Sequence, residues 1–217
     1  MERGRRPQPG VFRVLILCVL RKGREYGPEH VERLRLSLRK HSDARLVCLS
    51  DVPVTCERVE LQHDWPGWWS KLELFAYDWQ EPVLYVDLDT TFIDDPAPLL
   101  RTTPGITMLA RLNRPGDVGS GVMSWSGDYS HIYRAFRADP LGIPARYNTT
   151  PSWGDQGFIR DQIGVRNIDV FPQTLAASYK GHCTGMLRHE YRCPHEDVRV
   201  VYFHGKPRPW EVPPVWK

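Results

Sequence analysis

The run Val83-Leu84-Tyr85-Val86-Asp87-Leu88-Asp89-Thr90-Thr91-Phe92 constrains the fold of this chain more than any other stretch. Four apolar residues followed by two carboxylates one residue apart read as a buried parallel strand that ends in Asp87 and Asp89 at its carboxyl edge. Open α/β sheets bind ligands at that edge. Two carboxylates at this spacing can hold one hard divalent cation, which keeps positions open for phosphate oxygens. An Asx-rich turn with no ligand has the same local sequence, so the rest of the chain decides between the two.

The preceding segments read as the start of a parallel α/β sheet. Residues 11–20 form an apolar run that resembles a secretory signal in outline. Arg13 interrupts it, no small-x-small cleavage site follows, and Arg21-Lys22-Gly23-Arg24 comes next, so it reads as a first buried strand. Pro28 opens an amphipathic helix to His41, with Val31, Leu34 and Leu38 at helical spacing. Residues 44–49 and 58–61 are further strands. The carboxyl edge thus collects Arg21, Tyr26 and Asp51 as candidates for holding a nucleotide base and ribose. Residues 65–75 read as a turn opening a helix, with Lys71 near its amino end, where an anionic group is favoured.

Beyond the carboxylates, residues 106–110 and 118–125 read as strands. Gly119-Ser120-Gly121 marks a bulge or a close ligand approach in the second. Residues 129–138 read as a helix, 139–152 as a loop, and Trp153-Gly154-Asp155-Gln156-Gly157 as the opening of another helix. Residues 167–171 and 198–203 are the last strands, and a Pro-rich tail follows.

Composition sets limits. At 217 residues, with 41% hydrophobic and 25% charged, the chain suits one globular domain over residues 11–217. Arg3, Arg5 and Arg6 make residues 1–10 a basic, disordered arm, but a net charge of +3 is too mild to argue for nucleic acid. Five irregularly spaced Cys argue against a disulfide framework and for a reducing, cytoplasmic setting. His182, Cys183, His189, Cys193 and His195 form a dense group whose spacing fits no usual zinc pattern, so it reads as an irregular loop. Of 8 Trp, six (Trp65, Trp68, Trp69, Trp153, Trp210 and Trp216) lie next to Gly or Pro or near a chain end, which suggests aromatic walls on loops as well as core. No apolar run approaches the length of a membrane span.

Five stretches in order resemble the GT-A glycosyltransferases of the glycogenin and bacterial galactosyltransferase type, glycosyltransferase family 8. They are Tyr26-Gly27 with Leu36-Ser37-Leu38, Trp69-Ser70-Lys71-Leu72, Tyr85-Val86-Asp87-Leu88-Asp89-Thr90, Gly119-Ser120-Gly121-Val122 with Gly154-Asp155-Gln156-Gly157, and Phe203-His204-Gly205-Lys206-Pro207-Arg208-Pro209-Trp210. The resemblance implies a single GT-A domain with a mixed, mainly parallel sheet. It also implies a metal-dependent, retaining transfer of a hexose from a nucleotide sugar, most fittingly a UDP-sugar. Asp87, Asp89 and His204 would hold Mn2+ or Mg2+. Arg21, Tyr26, Asp51, Lys71, Asp87, Gly205, Lys206 and Arg208 would bind the donor, and Asp155 and Gln156 would stand at the anomeric carbon. His204 falls two residues beyond the family's His position, which moves the side chain roughly 6–7 Å along a strand, and Arg208 stands where the family has Lys.

Two other readings fit parts of the pattern. Asp87-Leu88-Asp89-Thr90-Thr91 also matches the first motif of haloacid dehalogenase-like phosphatases, with Gly116-Asp117 as a later acidic motif. That reading leaves Trp69-Ser70-Lys71 and His204 to Trp210 without a role. A nucleotide-sugar binding module without catalysis is the non-enzyme reading, and the Asp155-Gln156 pair speaks against it. The acceptor is open: a glycan, a lipid-linked sugar, a protein or a hydroxylated DNA base.

Overall fold

The computed structural model describes residues 14–213 except 24, 113, 115, 150–152 and 185–195. The basic arm and three members of the Cys/His group, His189, Cys193 and His195, therefore lie outside the described residues. A seven-stranded sheet forms the centre. Its parallel part comprises β1 (Leu15–Leu20), β2 (Arg45–Ser50), β3 (Glu57–Glu60) and β4 (Val83–Val86). After the short β5 (Thr90–Phe92) come β6 (Gly105–Ala110), β7 (Val118–Ser126) and β8 (Ile168–Val170). The order across the sheet is β3-β2-β1-β4-β7-β6-β8, with β7 antiparallel to both β4 and β6. Beside it, β9 (Ala176–Ser178) and β10 (Val200–Tyr202) join β5 in a three-stranded sheet ordered β5-β10-β9.

The central strands are apolar at every position because both sheet faces are covered. Leu15, Leu17, Val83 and Tyr85 pack with Trp65, Trp69, Phe75, Phe136 and Phe158 on one face. Ile16, Cys18, Leu84 and Val86 pack on the other against Val31, Leu34 and Leu38 of α1 (Pro28–Arg39). The first face is covered by α2 (Ser130–Ala138) and, after the short α3 (Gly142–Arg146), by α4 (Gly154–Ile163). The segment 139–152 is thus not a plain loop. Leu141-Gly142-Ile143 continues the chain for one helical stretch because Ile143 reaches the core and Asp139 accepts from Gly142 N at 2.9 Å.

Residues 67–76 form a 3-10 helix instead of an α-helix, with every residue from Trp69 to Phe75 buried. Such a long 3-10 run is unusual. It carries two buried charges, and Glu73 is held by the backbone N–H groups of Gln62 at 2.7 Å and His63 at 3.0 Å. Trp65 and Trp69 are core rather than cleft wall, and Phe136 lies between them, with ring centroids 4.7 and 5.1 Å away. Phe136→Ala should therefore cost about 3–5 kcal/mol of stability through the cavity it leaves. Urea unfolding should show a lower midpoint at unchanged slope; an unshifted midpoint would mean the aromatic stack is not part of the core.

Candidate active site

The carboxylates stand where β4 ends. Asp87 N donates to Gly121 O of β7 at 2.8 Å, and Thr90 N donates back to Asp87 O at 3.0 Å, so the chain turns tightly between the two acids. Gly121 sits at the irregularity where Met108 pairs with Met123 but Leu109 pairs with Gly119. A Cβ on Gly121 would stand 3.2 Å from Asp87 Oδ2; the bulge anticipated from Gly119-Ser120-Gly121 therefore makes room for a carboxylate. From below, Arg33 of α1 donates to Leu88 O at 2.6 Å, Thr90 O at 3.2 Å and Thr91 Oγ1 at 3.2 Å. From beyond, Phe203 N at the end of β10 donates to Asp89 O at 3.1 Å. Arg33 was not legible as a site residue, since in the sequence it is one more cation on an amphipathic helix.

Lys71 is the electrostatic centre. Its ammonium lies 3.1 Å from Asp87 Oδ1 and 2.9 Å from Asp155 Oδ2, and it donates to Ser120 Oγ at 3.1 Å. The lysine is only 4% exposed. Burial opposes its charge, but Asp155 and Asp87 outweigh burial and raise its pKa. Ser120 Oγ donates to Asp155 Oδ2 at 2.6 Å, fixing the acid at the start of α4. Tyr85 donates its hydroxyl to Asp87. Asp89 accepts from Tyr26 at 3.2 Å and from Arg208, whose guanidinium also clasps Glu25 at 2.7 and 2.8 Å. Burial first and the neighbouring Asp87 second push the Asp89 carboxyl up to about 7, while Arg208 pulls it back.

Each acid keeps one oxygen, Asp87 Oδ2 and Asp89 Oδ1, without a hydrogen-bond partner among the described residues. Two cavities meet at this pair and share Trp68, Lys71, Asp87 and Asp89. One, about 320 Å³, is lined by Arg21, Tyr26, Glu25 and Arg208. The other, about 360 Å³, is lined by Asp155, Gln156, His204, Arg111 and the exposed Trp153. Nine of the expected site residues thus line one connected cleft: Arg21, Tyr26, Lys71, Asp87, Asp89, Asp155, Gln156, His204 and Arg208.

The others stand differently. Asp51 lines neither cavity, accepting from Lys22 N at 2.9 Å and pairing with Arg21 at 3.4 Å. Lys206 is exposed and bound to Glu211. Gly205 takes a left-handed φ of +67° behind His204. His204 Nε2 is spent on Ser178 Oγ at 3.0 Å; burial, then Lys180 and Arg111, lower its pKa. Among the described residues no three His, Cys, Asp or Glu side chains stand ready to hold a metal ion. Asp117, the later acid of the phosphatase reading, is held by Arg111 and Arg160, each at 2.9 Å. In the Cys/His group, His182 Nδ1 accepts from Ser178 N at 2.8 Å and Cys183 is a buried thiol outside any disulfide among the described residues.

No protein-family model matches the chain, and no curated protein matches it by sequence. Solved structures do match its fold. A galactosyltransferase, LgtC, in complex with donor and acceptor sugar analogues superposes with a TM-score of 0.61 at 13% identity, covering 91% of this chain and 89% of that one. The glycosyltransferase GlyE of Streptococcus pneumoniae gives a TM-score of 0.67 at 14% identity over 91% of this chain. The bifunctional glycosyltransferase WbbM gives 0.60 at 10% identity over 93%. The chain spans 56% of the GlyE chain and 47% of the WbbM chain. The fold is therefore the α/β GT-A fold expected from the sequence.

The buried charges make a stability prediction. Lys71→Met leaves Asp155 and Asp87 uncompensated and should cost about 3–5 kcal/mol, whereas Lys71→Met with Asp155→Asn should recover much of the loss. Urea unfolding of both variants and of Asp155→Asn gives the coupling; strictly additive losses would contradict a shared ion triad.

Proposed function

We propose that this chain is a metal-dependent, retaining glycosyltransferase that moves a hexose from a nucleotide sugar, most fittingly a UDP-sugar, to a hydroxyl acceptor. The observation that carries the reading is the position of Asp87 and Asp89 between two adjoining cavities. A nucleotide sugar has the same order of parts: a nucleoside, a diphosphate that needs positive charge, and a sugar. The cavity with Arg21 and Tyr26 suits the nucleoside, and that with Asp155 and Gln156 suits the sugar and acceptor.

The donor set fits a hard divalent cation in part. Asp87 Oδ2 and Asp89 Oδ1 are carboxylate oxygens with no hydrogen-bond partner among the described residues, and Gly121 leaves space beside the first. Two carboxylates completed by phosphate oxygens and water suit Mn2+ or Mg2+. His204 would have to leave Ser178 to join them. When bound, the cation supplies charge against the diphosphate as the sugar departs.

The chain's own residues do the rest. Transfer breaks the bond between the anomeric carbon and the phosphate oxygen, which keeps the electron pair. The acceptor oxygen bonds to that carbon, and its proton leaves with the diphosphate. Lys71 and Arg208 present fixed positive charge to the departing group in a site partly screened from water, where such charge acts most strongly. Asp155, paired with Lys71 and oriented by Ser120, accepts a hydrogen bond from a sugar hydroxyl. Gln156 presents its amide to the sugar face. The galactosyltransferase LgtC, seen with donor and acceptor analogues on the same fold, supports this by analogy. A cytoplasmic setting accords with Cys18, Cys48, Cys56 and Cys183 forming no disulfide among the described residues. No helix among the described residues is long and apolar enough to cross a membrane.

Release of nucleoside diphosphate from a panel of nucleotide sugars, with and without Mn2+, tests the reading without the acceptor. One donor should be hydrolysed in a Mn2+-dependent way, and Asp89→Ala should lose at least about 100-fold in rate. No release from any donor, together with hydrolysis of a generic phosphate ester, would favour the phosphatase.

A further inference from the structure

Most cations around the cleft already have carboxylate partners. Lys71 is shared by Asp87 and Asp155, Arg21 by Asp51 and Asp64, Arg111 pairs with Asp117, Arg208 with Asp89 and Glu25, and Lys206 with Glu211. Lys180 differs. Among the described residues its ammonium has neither a carboxylate nor a hydrogen-bond acceptor, although it is half-buried and stands beside the cleft.

The local fold holds Lys180 in that place. It lies in a single π-helical turn, Tyr179–Cys183, that follows β9. Gly181 N donates to Ser178 Oγ at 3.1 Å, and Tyr179 stacks on Phe203 with ring centroids 4.5 Å apart. A Cβ on Gly181 would overlap Leu112, a residue of the cleft wall, so the turn is pressed against the cleft. Across from it is Gly205, whose φ of +67° suits glycine and whose missing Cβ would stand 3.5 Å from Lys180 Nζ. Gly205 follows His204, which lines the cavity with Asp87 and Asp89. An ammonium with no carboxylate partner among the described residues, beside Gly205 and next to the cavity-lining His204 at the edge of a carboxylate-lined cleft, has the charge that an anionic ligand such as a phosphate oxygen takes.

We propose that Lys180 is the cation that binds the sugar-bearing β-phosphate of the donor and neutralises it as it departs. The inference rests on the nucleotide-sugar reading and adds a residue to it. It also explains why Lys206 is exposed and committed to Glu211: the cation that serves this phosphate comes from the turn after β9 instead of from the chain end. Arg208 would hold the other side of the diphosphate, next to Asp89.

The test is calorimetric titration of wild type, Lys180→Ala and Lys180→Arg with UDP and with UMP, each with Mn2+ present. If GDP, ADP or dTDP is the diphosphate wild type binds, it and its monophosphate replace them. Lys180→Ala should weaken the diphosphate about 10- to 100-fold, the range for a lost charge-assisted hydrogen bond. It should leave the monophosphate unchanged, and Lys180→Arg should restore most of the loss. Equal weakening of both ligands would reveal a merely structural role and overturn the proposal, as would wild-type affinity for the diphosphate in Lys180→Ala. If wild type binds no nucleoside diphosphate at all, the functional reading fails along with it, a result distinct from the other two.

Discussion

Everything in the cleft depends on one buried ammonium held between two carboxylates. Lys71 comes from the 3-10 helix, Asp87 from the end of β4 and Asp155 from the start of α4, and Ser120 of β7 bridges lysine and acid. An isolated charge at this depth would be strongly disfavoured, and each partner makes the others tolerable. The long 3-10 segment, buried from Trp69 to Phe75, is the structural counterpart: it delivers Lys71 to the sheet edge from a stretch with no solvent-facing residue. The triad sets the spacing between the acid pair at the strand end and the helix that carries Asp155 and Gln156.

The second constraint is that the acid pair is nearly neutralised by the chain itself. Asp87 is served by Lys71 and Tyr85, Asp89 by Tyr26 and Arg208, and the loop beneath them by Arg33. A ligand bringing a metal and a diphosphate would exchange these partners instead of entering an empty site. Arg208 is the partner best placed to move. Its bidentate hold on Glu25 and its position over the Tyr26 ring, 5.5 Å from the centroid, give it an anchor while Asp89 changes partner.

The sequence made the parallel core legible because its strands are four to six apolar residues long and α1 has a clear 3.6-residue stripe. The acid pair, Lys71 and Asp155 were also legible, through their places at element ends. Three things were not. The strands β5 and β9 have three residues each, too few for any periodicity. The 3-10 helix at 67–76 carries an α-like apolar pattern, and only tertiary partners for Lys71 and Glu73 select the tighter winding. Arg33 and Lys180 have no local signal, since their roles come from which segments the topology brings beside them. The His204 reading illustrates the same limit, because only the fold reveals that Ser178, from a strand the sequence does not announce, takes its Nε2.

A crystal structure with Mn2+ and a nucleoside diphosphate tests the central claim most directly. The predicted density places the nucleoside in the cavity of Arg21 and Tyr26, with the diphosphate against Asp87 and Asp89. The cavity of Asp155 and Gln156 should then remain free for the sugar. A nucleotide bound elsewhere, or lying across Asp155 with the acid pair still closed by Arg208, would contradict it.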